Sequence, residues 1–456
     1  PKGVAIEHGA VVNTLHDINR TYGMTSSDKA LAVSALSFDL SVYDIFGILA
    51  VGGEVVYPEH EKGTDAEHWA ELVEQHSITL FNAVPASADL LALTFERQGK
   101  ASNTLRNILM SGDWISPSLP KRLWGVFPNC RTDSLGGATE ASIWSISYPI
   151  TEDTSHLKSV PYGKAMANQS FHILSREQQP VPIGVPGELY IGGKGVARCY
   201  YGDEKRSAAS FFYHEGLGKN LYRTGDLGRY MADGNIEFIG RADDQVKILG
   251  FRVELGEIEA ELAKLETVRE VIVMALGDKQ ARRLVAYIIP TYKPAEADVA
   301  GFNKQLRQSI AKNLPVYMLP SAFVLLDAFP LTANSKVNKK ALPDPGEMRA
   351  PQIVEPEGAT EIKLAAIWSQ VLELEKVSAT ANFFDLGGNS LQLTRLVYEI
   401  REGFDIEISI RDVFERTSLK DMAVYLENRQ AEDSDVQQFE QVTRAEVDIG
   451  SFEIVL

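Results

Sequence analysis

Cysteine is almost missing from this chain. Cys130 and Cys199 are the only two, and there is no CxxC and no His/Cys cluster. That argues against a disulfide framework and against a thiolate zinc site, and it predicts a reducing, cytoplasmic compartment. Long apolar runs are missing too: none reaches the ~20 residues of a membrane span, so no membrane partner is expected. The opening Pro1-Lys2-Gly3-Val4-Ala5 has no apolar signal-peptide core and reads like the middle of a domain, which predicts a fragment of something longer. Positive charge is in deficit. Lys and Arg total 45 against 62 Asp and Glu, a net charge of -17. Nucleic-acid backbones and anionic membranes need a basic footprint, so nucleic acid is excluded as the main partner.

What the chain does contain is ordinary globular material. Of its 456 residues 45% are hydrophobic and 23% charged, enough for about three units at roughly 150 residues each. Early on, a helical stripe (Trp69, Leu72, Val73) precedes an apolar strand, Ile78–Phe81, and residues 105–111 repeat the strand signal. That rhythm predicts a mostly parallel sheet covered by helices. From about 160 to 240, short strands punctuated by Gly and Pro predict a β-rich subdomain. A small α+β lobe follows: a helix over 257–265, strands over 271–275 and 284–289, a helix bearing Phe302, Leu306 and Ile310, and a strand over 323–326. Pro343, Pro345, Pro351 and Pro356 then mark a semi-rigid linker. Residues 359–429 read as a compact helical unit, striped by Leu364, Ile367, Trp368 and Val371 and by Leu391, Leu393, Leu396 and Val397. Beyond Gln430 seven acids meet one Arg, net -6, a solvated tail.

The sharpest local signal is Asp385-Leu-Gly-Gly-Asn-Ser390-Leu391. Taken alone it reads as a tight turn and a helix N-cap. Behind a proline linker, in a four-helix-sized unit and after Phe383-Phe384, it resembles a peptidyl carrier (thiolation) domain. The resemblance implies that Ser390 receives a 4′-phosphopantetheine arm.

The preceding 345 residues resemble the adenylation domains of nonribosomal peptide synthetases, in the acyl-CoA synthetase and luciferase superfamily. The resemblance rests on eight stretches in the family's order: Pro1-Lys2-Gly3; Phe38-Asp39-Leu40-Ser41; Gly137-Ala138-Thr139-Glu140; 187–193; Tyr222 to Leu227; Gly240 to Leu255; Leu314 to Pro320; and Asn334-Ser-Lys336-Val337. It implies an adenylate-forming α/β large lobe with a β-rich subdomain, a small α+β C-terminal lobe, and a four-helix carrier domain. The expected boundaries are 1–241 for the large lobe, lacking its N-terminal part, 242–345 for the small lobe, 346–357 for the linker, 358–430 for the carrier and 431–456 for the acidic tail.

The implied activity is ATP-dependent adenylation of an amino acid, forming an aminoacyl-AMP and pyrophosphate, followed by transfer to the carrier thiol. Such chemistry is largely positioning and neutralisation of phosphate charge. The resemblance assigns Lys336 to the α-phosphate and substrate carboxylate, although Lys339-Lys340 beside it also fits a solvated basic face. It assigns Thr139 and Glu140 to the α-phosphate and Mg²⁺, Lys2 and Gly3 to the end of the phosphate loop, and Asp226 and Arg241 to the ribose. Asp226 could otherwise be a turn residue and Arg241 part of a surface ion pair. Asp243 matches the hinge between lobe positions. The resemblance also implies that Gly136 and Gly137 line the nucleotide, but the family's adenine-stacking aromatic is replaced by Gly136 and its proline by Ala138, so the adenine contact needs another supplier.

The resemblance also places a substrate pocket. Asp39 matches the partner of the α-ammonium, with Leu40, Tyr43, Asn82, Leu109, Ser111, Leu135, Ile143 and Trp144, closed by Lys336. Read together these resemble the pattern of cysteine-activating domains, which implies L-cysteine; Leu109 and Ile143 could equally be packing a strand core. Implied partners are a phosphopantetheinyl transferase and neighbouring condensation, heterocyclisation, oxidase or thioesterase domains. Two other readings stand beside this one: an acyl- or aryl-CoA ligase, and a non-catalytic carrier or docking segment.

Overall fold

The structure is a computed structural model that describes residues 2–157, 159–242, 246–248, 251–277, 283–295, 298–330, 337–344, 354–372, 374–384, 386, 388, 390–406, 408, 412–413 and 416–430. Lys336 with Asn334 and Ser335, Asp243, linker residues 346–353, the tail 431–456, and Asp385, Gly387 and Asn389 of the glycine turn lie outside the described residues. The chain divides into two compact units, Pro1–Val253 and Glu254–Leu456.

In the first unit a seven-stranded sheet runs in the order Glu54–Val56, Lys29–Leu31, Leu80–Ala83, Asn107–Met110, Arg131–Gly136, Ile146–Ile150, Lys164–Ala165. The first five strands pair in parallel, and Ile146–Ile150 is antiparallel to both of its neighbours, Arg131–Gly136 and Lys164–Ala165. The central strands 80–83 and 107–110 are buried along their whole length, as expected where helices cover both faces. Alternation sorts their side chains. Phe81, Ala83, Ile108 and Met110 pack with Trp69, Leu91 and Phe95 on one face; Leu80, Leu109 and Leu135 pack with Ile18, Tyr43 and Trp144 on the other. The helix Ala66–His76 starts where the Asp65 carboxylate accepts the Glu67 N–H at 2.9 Å, and Pro85 opens the helix Pro85–Arg97.

The Gly- and Pro-punctuated segment forms an antiparallel sheet, ordered Phe211–His214, Lys219–Tyr230, Gly187–Gly193, Gln169–Leu174, with Ile236–Arg241 also paired to Lys219–Tyr230. That last pairing sets Asp226 directly opposite Arg241.

The second unit begins with the helix Leu255–Ala263 and a three-stranded sheet, Val268–Leu276, Arg283–Pro290 and Ala322–Leu325. Phe302, Leu306 and Ile310 on the helix Val299–Ile310 are buried. Helices Gly358–Leu372 and Ser390–Phe404 and the helical residues 419–430 then enclose a separate apolar core around Trp368, Phe383, Leu396 and Leu426. Trp368 meets Phe383 edge-on at 5.2 Å, a favoured aromatic geometry. Among the described residues no helix is long and apolar enough to cross a membrane.

Candidate active site

The described residues among those expected to line the substrate pocket come from five separate stretches and meet on one face of the parallel sheet; Lys336 lies outside the described residues. Asp39 immediately precedes a helical turn, Leu40–Val42, that widens into a π-turn over Tyr43–Gly47; such turns redirect side chains and recur at functional sites. Leu40, Tyr43, Leu109, Leu135, Ile143 and Trp144 belong to one buried cluster. Tyr43 donates its hydroxyl to Asn19 Oδ1 at 3.1 Å and sets its ring edge-on to Trp144 at 5.2 Å. Trp144 Nε1 donates to Ser111 Oγ at 3.0 Å. Asn82 has the strand parity of Leu80, which belongs to that cluster. Leu109 and Ile143 do pack a sheet core.

Asn82 carries an unexpected neighbour. Its Nδ2 donates to Leu40 O at 3.3 Å and to Asp44 Oδ1 at 2.8 Å. A backbone carbonyl can only accept, so the amide orientation is determined. Asn82 Oδ1 and Asp44 Oδ2 are then left buried without hydrogen-bond partners. Burial pushes the Asp44 carboxyl up to about 8, against a smaller downward pull from the Asn82 hydrogen bond. Asp44 was not among the residues picked from sequence. Its burial comes from the π-turn, and no local pattern announces it.

The loop after the strand Arg131–Gly136 is held under strain. A Cβ on Gly137 would lie 2.7 Å from Ile143 O, so only glycine fits there. Ala138 sits at φ -138°, outside the range a proline ring allows, which accounts for the missing proline. Ser142 and Ile143 take φ of 61° and 70°, which for a β-branched residue costs on the order of 1–3 kcal/mol. Hydrogen bonds restrain them: Thr14 Oγ1 donates to Ser142 O at 3.0 Å, Ser142 Oγ to Gly195 O at 2.7 Å, and Gln169 Nε2 to Trp144 O at 2.9 Å.

That loop carries Thr139 and Glu140. Thr139 Oγ1 donates to Asp39 Oδ2 at 2.6 Å, joining the two motifs across 100 residues. Glu140 is fully buried; its Oε1 accepts the Tyr200 hydroxyl at 2.7 Å and lies 3.2 Å from Lys2 Nζ. Lys2 Nζ also stands 5.0 Å from the Tyr200 ring centroid, because Val4–Ala5 pairs with Cys199–Tyr200. Tyr200 is a second residue that sequence reading missed. Gly3 continues the same arrangement, its carbonyl accepting from Tyr201 N–H at 2.8 Å.

Asp226 and Arg241 pair at 2.7 Å between Asp226 Oδ1 and Arg241 Nη1, with side chains only 10% and 15% exposed. Asp226 lies within the strand Lys219–Tyr230 and not in a turn, and its ion pair with Arg241 is largely buried and not a surface one. Ser390 is the first residue of the helix Ser390–Phe404, and the turn before it is held by Gly388 N–H donating to Phe383 O at 3.0 Å. Among the described residues no group of three or more His, Cys, Asp or Glu could hold a metal ion by itself. A single buried carboxylate such as Glu140 still suits Mg²⁺, which takes one or two carboxylates together with substrate phosphates.

Comparison with known proteins bears on this arrangement. Residues 1–201 match the family described as AMP-binding enzyme, residues 257–336 its C-terminal domain, and residues 363–426 the phosphopantetheine attachment site. Bacitracin synthase 1 of Bacillus licheniformis is 38% identical over 440 residues, covering 95% of this chain and 8% of that protein. Pyochelin synthetase PchF of Pseudomonas aeruginosa strain UCBPP-PA14 is 49% identical over 299 residues, covering 65% of this chain and 16% of that protein. A solved holo NRPS protein containing adenylation and PCP domains, bound to a vinylsulfonamide inhibitor, superposes with a TM-score of 0.70 at 25% identity, covering 89% of this chain and 67% of that one. The chain therefore spans a small part of the length of these curated relatives.

Fold and site together define an adenylate-forming, ATP-dependent ligase. More particularly, the chain belongs to the nonribosomal peptide synthetases, as an adenylation domain followed by its phosphopantetheine carrier domain.

Proposed function

We propose that this segment activates L-cysteine as cysteinyl-AMP and loads it onto the carrier through Ser390. The observation that supports the substrate reading is six apolar side chains in one buried cluster, with Asn82 and Ser111 adding polarity beside it. Large apolar residues leave room for a short side chain, and two polar groups suit one that is weakly polar. Asp39, half-buried and accepting a hydrogen bond from Thr139, carries the negative charge that pairs with the α-ammonium group of an amino acid.

In this reading Asp226 accepts the ribose hydroxyls while Arg241 holds its carboxylate in place. Thr139 and the Gly136–Gly137 backbone face the α-phosphate. Lys2, with Gly3, lends positive charge to the phosphates, and Glu140 takes the Mg²⁺ together with them. Lys336 bridges the α-phosphate and the substrate carboxylate, and Asp243 is the hinge about which the small lobe turns, so that one site serves two half-reactions. The large lobe is taken as 1–241, the small lobe as 242–345 and the carrier as 358–430. The phosphopantetheine arm supplies the thiol that receives the activated aminoacyl group. A phosphopantetheinyl transferase and neighbouring assembly-line domains are the partners this requires.

ATP–pyrophosphate exchange on the full-length protein, run with each amino acid, tests the proposal. Cysteine-dependent exchange is expected. Exchange with a different amino acid would overturn the specificity and keep adenylation; no exchange with folded protein would overturn both. Incubation with coenzyme A and a phosphopantetheinyl transferase should add one arm mass, lost in Ser390→Ala.

A further inference from the structure

Gly136 is buried and presents no side chain toward the nucleotide site, yet the space beside it is not empty. A Cβ built on Gly136 would lie 1.9 Å from Cε2 of Tyr162 and 2.6 Å from its Cζ. Tyr162 lies 26 residues along the chain, in the segment leading to the strand Lys164–Ala165. Its N–H donates to Ile236 O at 2.8 Å, which anchors the backbone to the antiparallel sheet. Phe171 and Phe238 support the ring at centroid distances of 6.1 and 5.7 Å. The ring keeps part of its surface exposed. Burial, and then the nearby Asp226 carboxylate, raise the phenol's pKa and keep it neutral, while the Gly137 backbone and Arg241 act on the same hydroxyl in the opposite sense. The ring therefore lies against the Gly136 backbone, flanked by Phe171 and Phe238.

We infer that Tyr162 is the aromatic surface on which the adenine base of ATP rests, occupying the place that a side chain on Gly136 would otherwise fill. The inference rests on the nucleotide reading above, in which Asp226 takes the ribose. A base joined to that ribose and a phosphate held at Gly137–Thr139 leave the region beside Gly136 for the purine. A purine offers a flat π-face that gains most from an aromatic partner in offset contact. Only a residue without a Cβ at 136 lets the ring come this close, so glycine at 136 and tyrosine at 162 form one spatial unit supplied from two points in the chain.

The test is steady-state pyrophosphate exchange on the full-length protein with variants at both positions. Tyr162→Ala should raise KM for ATP about 10- to 100-fold, the range that loss of one base-stacking ring gives. KM for the amino acid and kcat at saturating ATP should stay within about threefold, a split that general loosening of the fold would not produce. Tyr162→Phe should resemble wild type. Tyr162→Leu keeps apolar volume without a ring; it should fold and still weaken ATP. Moving the ring, with Gly136→Tyr and Tyr162→Ala together, should recover much of the ATP affinity, whereas Gly136→Tyr alone should not be accommodated. If KM for ATP is unchanged in Tyr162→Ala or Tyr162→Leu while Asp226→Ala raises it, the nucleotide site stands and the role of Tyr162 is refuted. If Asp226→Ala changes nothing either, the nucleotide reading itself has failed.

Discussion

Asp44 offers a measurement whose sign follows from burial alone. Its carboxyl is fully buried and pushed from 3.8 up to about 8. In the unfolded chain the same group loses its proton near pH 4, so between about pH 4 and pH 8 the native state binds one more proton than the unfolded state. Stability must then fall as pH rises through that window, with a limiting slope of about 1.4 kcal/mol per pH unit. Asp44→Asn removes the titration and keeps a carbonyl that can accept from Asn82 Nδ2. The stability difference between Asp44→Asn and wild type should therefore grow in favour of the variant by roughly 3 kcal/mol from pH 5 to pH 7. Urea unfolding followed by tryptophan fluorescence suits the purpose, because Trp69, Trp114, Trp124 and Trp144 are four of the five tryptophans and all lie in the first unit. A difference that stays constant from pH 5 to pH 7 would mean that Asp44 is ionised in the folded protein, and the account of its burial against Asn82 would be wrong.

Two further outcomes can be checked on the same protein. Trp368→Ala empties the centre of the carrier core, where Trp368 is 0% exposed, and should cost about 3–5 kcal/mol; Trp368→Ala protein should be a poor substrate for arm attachment in a mass assay at a temperature where wild type is fully modified. Arg241→Ala removes the ion pair that Arg241 makes with the Asp226 carboxylate, 10% exposed, and should cost roughly 3 kcal/mol in denaturant titration. Replacing both partners, Asp226→Asn with Arg241→Met, should cost less than Arg241→Ala alone, since no uncompensated charge remains; a double variant that is worse would contradict that explanation.

Reading the sequence located the elements well where one strong period ran through a segment. The helix Ala66–His76 and the stripe of Phe302, Leu306 and Ile310 lie where apolar spacing put them, because burying one helical face demands that spacing. The buried strands at 80–83 and 107–110 were legible as short apolar runs. Motif order singled out Asp39, Thr139, Asp226 and Ser390, since each stands in a short local pattern that can be read without a fold.

Contacts between distant segments were a different matter. Nothing within Phe38–Asp44 states that Asp44 will be sealed against Asn82, and nothing near Gly136 states that Tyr162 will fill the space beside it. Likewise Tyr200 meets Glu140 only because Val4–Ala5 pairs with Cys199–Tyr200. The amino-acid order by itself determined which segments become helix or strand and where the short motifs stand along the chain, because propensity and periodicity act over a few residues. Only the tertiary structure decided which side chains share a site, because hydrogen bonds, desolvation and close packing act between atoms a few ångströms apart, whatever their separation along the chain.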